Sequence, residues 1–227
     1  MNADASFKEG IRLFKGRRYE LALQEFSTLQ AEDAGEYPDL SYYLGLCYTH
    51  LEKYDEALLH LEQVVASGAG LVHLYQGRMI LGLIYSLTKR FRLAEFEFRK
   101  LLDGGFESAK VYSALAYTLF LQKKVDQSVE VLEKALALEP DNANALNSLG
   151  YILADSNKRL GTALRYCEQA VEKSPKNAAY LDSLGWVHYR TGNYKDSRVF
   201  LRKALDYAPK NKEILAHLRT AMEADKK

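Results

Sequence analysis

The chain has few of the residues that carry chemistry and few that break helices. Its two cysteines, Cys47 and Cys167, stand 120 residues apart with no CxxC and no metal-ligand spacing. That excludes a disulfide framework and reads as two buried thiols. Only 4 prolines interrupt 227 residues, so helices have room to propagate. Charge of one sign is also missing. The 31 basic and 30 acidic residues leave a net charge of +1, which withholds the polybasic attraction that nucleic acid or an anionic lipid surface requires. A mild polarity remains: 12 basic and 16 acidic residues up to Ser108, then 19 basic and 14 acidic. No apolar run approaches the roughly 20 residues that span a bilayer, so direct membrane insertion is not expected. The start, Met1-Asn-Ala-Asp-Ala-Ser6, offers neither a basic segment nor an apolar one in the manner of a signal peptide. The expectation is a cytoplasmic protein. The alternative is an exported protein whose export signal has been removed.

Catalytic signatures are absent as well. There is no nucleophile elbow, phosphate loop, HExxH or dinucleotide glycine motif. The five histidines, at 50, 60, 73, 188 and 217, are scattered without a second ligand at metal spacing. His188 reads as a helix-packing histidine, and acidic residues such as Glu52, Glu56 and Glu62 as the solvated faces of helices. The expectation is no enzyme, no metal and no cofactor.

What is present is a repeat. Asn144-Ala-Leu-Asn-Ser-Leu-Gly150 returns 35 residues later as Ala179-Tyr-Leu-Asp-Ser-Leu-Gly185. Each copy continues through a second apolar segment, Ala163 to Val171 or Ser197 to Leu205, and closes on Pro175 or Pro209. Traced backward, a small residue recurs at Gly10, Gly45, Gly82, Ala116, Gly150 and Gly185, with gaps of 35, 37, 34, 34 and 35. A second small residue follows at Ala22, Ala57, Ala94, Ser128, Ala163 and Ser197. Four positions later come Phe26, Leu61, Phe98, Leu132, Cys167 and Leu201. Small residues at fixed offsets let two helices approach, and the larger ones fill the space between them. Six helix pairs in a repeat array follow.

The fourth unit closes on Pro140. The first three lack that proline and turn through Glu32-Asp-Ala-Gly35, Ser67-Gly-Ala-Gly70 and Asp103-Gly-Gly105. The fifth carries an extra residue in Ser156-Asn-Lys-Arg-Leu-Gly161, which predicts a longer turn inside that unit. After Pro209 a last helix, 212–225, places Ile214, Leu215, Leu218, Ala221 and Met222 on one face. Glu213, His217, Arg219 and Glu223 lie on the other, so it reads as a cap on the stack.

The pattern of small residue, aromatic, alanine, large apolar residue and proline resembles the tetratricopeptide repeat. It stands here as Gly45-Leu-Cys-Tyr48 with Ala57 and Leu61, as Gly82-Leu-Ile-Tyr85 with Ala94 and Phe98, and as Ala116, Ser128, Leu132, Ala135 and Pro140. The resemblance covers about residues 3–211. It implies an all-α, right-handed superhelical solenoid with repeats at about 3–37, 38–74, 75–108, 109–142, 143–177 and 178–211, plus the capping helix, in one domain. It also implies a protein-protein interaction scaffold or adaptor whose first helices line a concave groove. Tetratricopeptide domains that clamp chaperone C-terminal carboxylates use lysine, asparagine and arginine at set positions. Here those hold Phe7, Ile11, Tyr43, Gln76 and Ile80, so that ligand is not expected. The stretch from Asn144 to Leu205, notably Leu181 to Tyr194, is similar to the closing repeats of bacterial tetratricopeptide proteins. Many of those are exported lipoproteins acting as assembly or protease adaptors.

Helical spacing then gives the inward-pointing set. It runs Phe7, Ile11, Phe14; Tyr42, Leu46, Thr49; Met79, Leu83, Ser86; Ser113, Tyr117, Phe120; Asn147, Tyr151, Asp155; and Asp182, Trp186, Tyr189. This face is more aromatic than a solvated one. Two readings compete. Either the rings pack between neighbouring helices as core, or they form a groove for a peptide or partner helix. Phe14, Leu46 and Leu83 stand evenly between the two. For Tyr117, Tyr151, Trp186 and Tyr189 the groove is favoured, because tyrosine and tryptophan are common interface anchors. The candidate contacts are Trp186, Tyr189, Asp182, Tyr151, Asn147, Tyr117, Phe120, Met79, Tyr42 and Phe7. Asn147 and Asp182 are placed to hydrogen-bond an extended backbone. The expected partner is another protein or peptide segment. Self-assembly into a homo-oligomer is the structural alternative, and reading RNA with a basic inner face the remote one.

Overall fold

The computed structural model describes residues 3–29, 39–67 and 70–224. Among them the secondary structure is entirely helical. The chain divides into two compact units, Met1–Phe106 and Glu107–Lys227. The first holds α1 (Ala3–Lys15), α2 (Tyr19–Ser27), α3 (Leu40–His50), α4 (Tyr54–Ala66), α5 (Leu71–Leu87) and α6 (Phe91–Asp103). The second holds α7 (Ala109–Leu121), α8 (Val125–Leu138), α9 (Ala143–Asp155), α10 (Leu160–Lys173), α11 (Ala178–Arg190), α12 (Tyr194–Tyr207) and α13 (Lys212–Ala224). The predicted turn at 32–35 lies outside the described residues, as do positions 68 and 69 of the second turn. The third turn is as expected, with Gly105 at φ 81°.

Each repeat is a hairpin of two helices closed by a tight turn. In five repeats a residue with side chain takes the left-handed conformation at that turn: Arg17, Glu52, Lys89, Lys123 and Asn157. Gly192 does so in the sixth. Their spacing follows the period of the small residues, so every repeat reverses direction by the same device. The fifth turn is the longer one that its sequence predicted. It runs from 156 to 159 and absorbs the extra residue by placing Arg159 at φ 42° as well.

The pairing of small with large residues is a packing contact. A Cβ added at Gly10 would stand 2.4 Å from Phe26 Cε1, and one at Gly82 would stand 2.5 Å from Phe98 Cε1. At Gly45 and Gly185 the obstacles are Leu61 Cγ at 2.7 Å and Leu201 Cγ at 2.6 Å, and at Gly150 it is Cys167 Sγ at 2.5 Å. Phe26, Leu61, Phe98, Cys167 and Leu201 are fully buried. Each large apolar side chain so enclosed contributes about 1.5–3 kcal/mol. In the fourth repeat Ala116 replaces glycine, and the Ser128 hydroxyl donates to its carbonyl at 2.7 Å. Both cysteines are buried, and burial pushes their thiols up to about 12.

In the second unit the first helix of each pair is started by a side-chain cap. Ser108 Oγ accepts from Val111 N at 3.3 Å, Asn142 Oδ1 from Ala145 N at 3.0 Å, and Asn177 Oδ1 from Ala179 N at 3.0 Å. Asn211 Oδ1 does the same for α13, accepting from Glu213 N at 2.9 Å. The Pro-x-Asn sequences at Pro140, Pro175 and Pro209 thus stop one helix and cap the next. By its cap, α13 begins as the first helices of the repeats before it do.

That register corrects the expected orientation of α13. Ile214 and Ala221 are buried as expected, but Met222 is 43% exposed. His217, assigned to the solvent face, is turned inward with its side chain 12% exposed. The reason is the period: Asn147, Asp182 and His217 stand 35 residues apart and occupy one position on successive first helices.

Candidate functional site

In the second unit α7, α9, α11 and α13 lie side by side. One tyrosine of α7, four residues of α9, three of α11 and one of α13 border a cleft of about 200 Å³. Its sides are Tyr117; Asn147, Ser148, Tyr151 and Ile152; Ala179, Asp182 and Ser183; and Glu213. The Tyr117 side chain is 56% exposed, whereas Tyr151 is half-buried with its ring edge-on to Phe120 at 6.1 Å. Asn147 is 9% exposed, and its Oδ1 is buried without a hydrogen-bond partner. Both phenols are held above their usual range, chiefly by burial. Glu213 adds to this at Tyr117, and Asp155, Glu213 and Asp182 add to it at Tyr151.

A stack of rings joins the cleft lining at Asp182. His217 lies on Trp186 at 4.3 Å between ring centres, and Trp186 lies on Tyr189 at 4.8 Å. The His217 Nδ1 meets Asp182 Oδ1 at 2.9 Å and Oδ2 at 3.1 Å. The indole Nε1 of Trp186 donates to Asp155 Oδ1 at 3.3 Å, and Arg190 donates to the Asp155 carbonyl at 2.8 Å. Asp182 and Trp186 therefore already have partners inside the chain. Sequence reasoning missed His217 because α13 was taken alone as an amphipathic cap.

Of the candidate contacts, Tyr117, Asn147, Tyr151 and Asp182 border the cleft. Phe120 supports Tyr151, while Trp186 and Tyr189 form the adjoining stack. The three from the first unit lie within that unit's own packing. Tyr42 is 8% exposed, stacks on His73 at 4.4 Å and donates to Gln76. Met79 is 5% exposed, and Phe7 sits 5.9 Å from the Phe26 ring and 6.1 Å from the Tyr43 ring. Of the three evenly weighed residues, Phe14 packs against Tyr19 and Tyr43, Leu46 is half-buried, and Leu83 is 43% exposed. His188 stacks on Phe200 at 5.3 Å, and burial lowers its pKa. Among the described residues no group of three or more metal-ligating side chains converges, and no helix is long and apolar enough to cross a membrane.

Family models described as tetratricopeptide repeat match residues 7–72 and 178–211, and one described as TPR repeat matches 116–157. The chain belongs to the tetratricopeptide repeat family. Over 108 residues, 46% of this chain, it is 43% identical to the TPR repeat-containing protein PA4667 of Pseudomonas aeruginosa. Over 66 residues, 29% of this chain, it is 41% identical to Intraflagellar transport protein 70A of Homo sapiens. These matches span 18% and 10% of the two relatives, so the chain corresponds to a small part of either. Solved tetratricopeptide structures share its fold. YrrB, a TPR protein with an unusual peptide-binding site, matches with a TM-score of 0.57 at 20% identity, over 84% of this chain and 95% of that one. MamA matches at 0.61 and 20% identity, over 78% and 94%. The Cut9-Hcn1 assembly of APC/C matches at 0.75 and 15% identity, over 96% and 42%.

Proposed function

We propose that this tetratricopeptide protein is a non-catalytic binding scaffold and that the cleft bordered by α7, α9, α11 and α13 holds a peptide or partner helix. The observation that carries the reading is Asn147. A buried carbonyl oxygen left without a donor costs about 1–3 kcal/mol, and a donor laid along the cleft would remove that cost. The amide lies beside Tyr117 and Tyr151, rings of the kind that anchor protein interfaces. That YrrB is a peptide-binding protein of this fold supports the class of ligand, though not the position. In this reading Trp186 and Tyr189 brace α13 through the stack on His217.

The test is selection of random displayed peptides on the full chain, followed by affinity measurement on variants. Asn147→Leu and Tyr117→Ala should each weaken the selected peptides by more than ~1 kcal/mol while the helical circular dichroism stays unchanged. Unaltered affinity in both variants would remove the cleft as the site.

A further inference from the structure

The cleft has a chemical bias that bears on what enters it. After Ser108 the chain has more basic than acidic residues, 19 against 14, yet neither lysine nor arginine borders the cleft. Its ionisable lining is Asp182, Glu213 and two tyrosines. Glu213 stands four residues before His217, one turn away on the same face of α13, and is exposed at the rim. Tyr117 presents an open ring, whose face attracts a cation. The Asn147 Oδ1 is an acceptor without a donor, and its amide turns about a broad terminal torsion. Beside burial, Asp155, Glu213 and Asp182 raise the Tyr151 phenol, although Asp182 is already engaged with His217. The volume of about 200 Å³ falls below the roughly 300–1,000 Å³ typical of small-molecule sites, so it suits one side chain of a longer ligand.

We propose that the cleft takes a lysine or arginine side chain of the bound segment, its cation over Tyr117 and beside Glu213 and its N–H donated to Asn147. This rests on the peptide-binding reading above and names the ligand chemistry within it. An acidic side chain meets Glu213 unfavourably, and neither it nor an apolar one brings Asn147 a donor.

The full chain is titrated by fluorescence anisotropy with three labelled pools of random peptides. Alternate positions are Lys/Arg in the first, Asp/Glu in the second and Ser/Gln in the third. The basic pool should bind about tenfold more tightly than the neutral one, and Glu213→Gln and Tyr117→Leu should each erase most of that difference. Both side chains are exposed, so neither change threatens the fold. Equal binding of basic and neutral pools overturns the cation preference and leaves the peptide-binding reading standing. Binding of no pool overturns both. A basic preference that survives both substitutions places the cation elsewhere and overturns the assignment to this cleft.

Discussion

Replacing Gly150 by alanine tests the helix packing where the backbone of the opposing helix comes nearest. In an exposed helix the change would stabilise, since glycine is about 0.8–1.0 kcal/mol worse than alanine. Here the new Cβ would stand 2.5 Å from Cys167 Sγ, 2.9 Å from the Ala163 carbonyl oxygen and 3.2 Å from Cys167 N. Two of those three obstacles are backbone of α10, so rotating the cysteine cannot relieve them and the helices must part. Overpacking of this kind costs about 1–3 kcal/mol, which leaves a net loss of up to ~2 kcal/mol after the propensity gain. Urea unfolding followed by circular dichroism reads the difference. Gly161→Ala is the control, because nothing stands within 4 Å of its Cβ and it lies in the first turn of α10, the opposing helix. The control should gain a fraction of a kcal/mol. Adding Cys167→Ala to Gly150→Ala should recover only part of the loss. Stabilisation by Gly150→Ala, at a size equal to the control, would refute close contact between α9 and α10.

Two further outcomes follow from the buried polar groups. His217→Ala removes a ring stack worth about 0.5–1.5 kcal/mol and strands the buried Asp182 carboxylate at about 1–3 kcal/mol, so the second unit should lose roughly 2–4 kcal/mol in denaturant unfolding. The emission of Trp186, the only tryptophan, should shift to the red. In the first unit, burial raises the Glu97 carboxyl above its ordinary 4.5 and outweighs the opposing Arg78, which donates to it at 2.7 Å. A raised carboxyl favours the folded state while protonated. That contribution is present below the unfolded pKa of 4.5 and is lost as pH rises through the folded value. Glu97→Gln keeps an acceptor for Arg78 and should flatten stability against pH across that window, as measured by urea midpoints. An unchanged pH profile would contradict the burial of that charge.

The repeat was legible because its packing is periodic. A helix pair needs a small residue wherever the opposing helix puts Phe26, Leu61, Phe98, Cys167 or Leu201, and that demand recurs every 34 to 37 residues. Exposure on the inner face was harder to read. Helical spacing puts Tyr42 and Tyr117 at comparable inward positions, yet His73 and Gln76 of α5 close over Tyr42 while Tyr117 stays open. Which ring a neighbour covers depends on side chains one repeat away, and these vary from unit to unit. His217 was within reach, since extending the Asn147 and Asp182 series by one more period lands on it. Glu97 was not. Its partner Arg78 lies on the facing helix at no repeated offset, so nothing in the pattern separates it from the other acids of that unit.

The central claim is that a peptide occupies the cleft bordered by α7, α9, α11 and α13. Amide chemical-shift mapping of the labelled full chain, titrated with a basic peptide recovered by display selection, tests it most directly. Saturable shifts clustered at Tyr117, Asn147, Tyr151, Asp182 and Glu213 are expected. Shifts confined to α8, α10 and α12, or to the first unit, would contradict it.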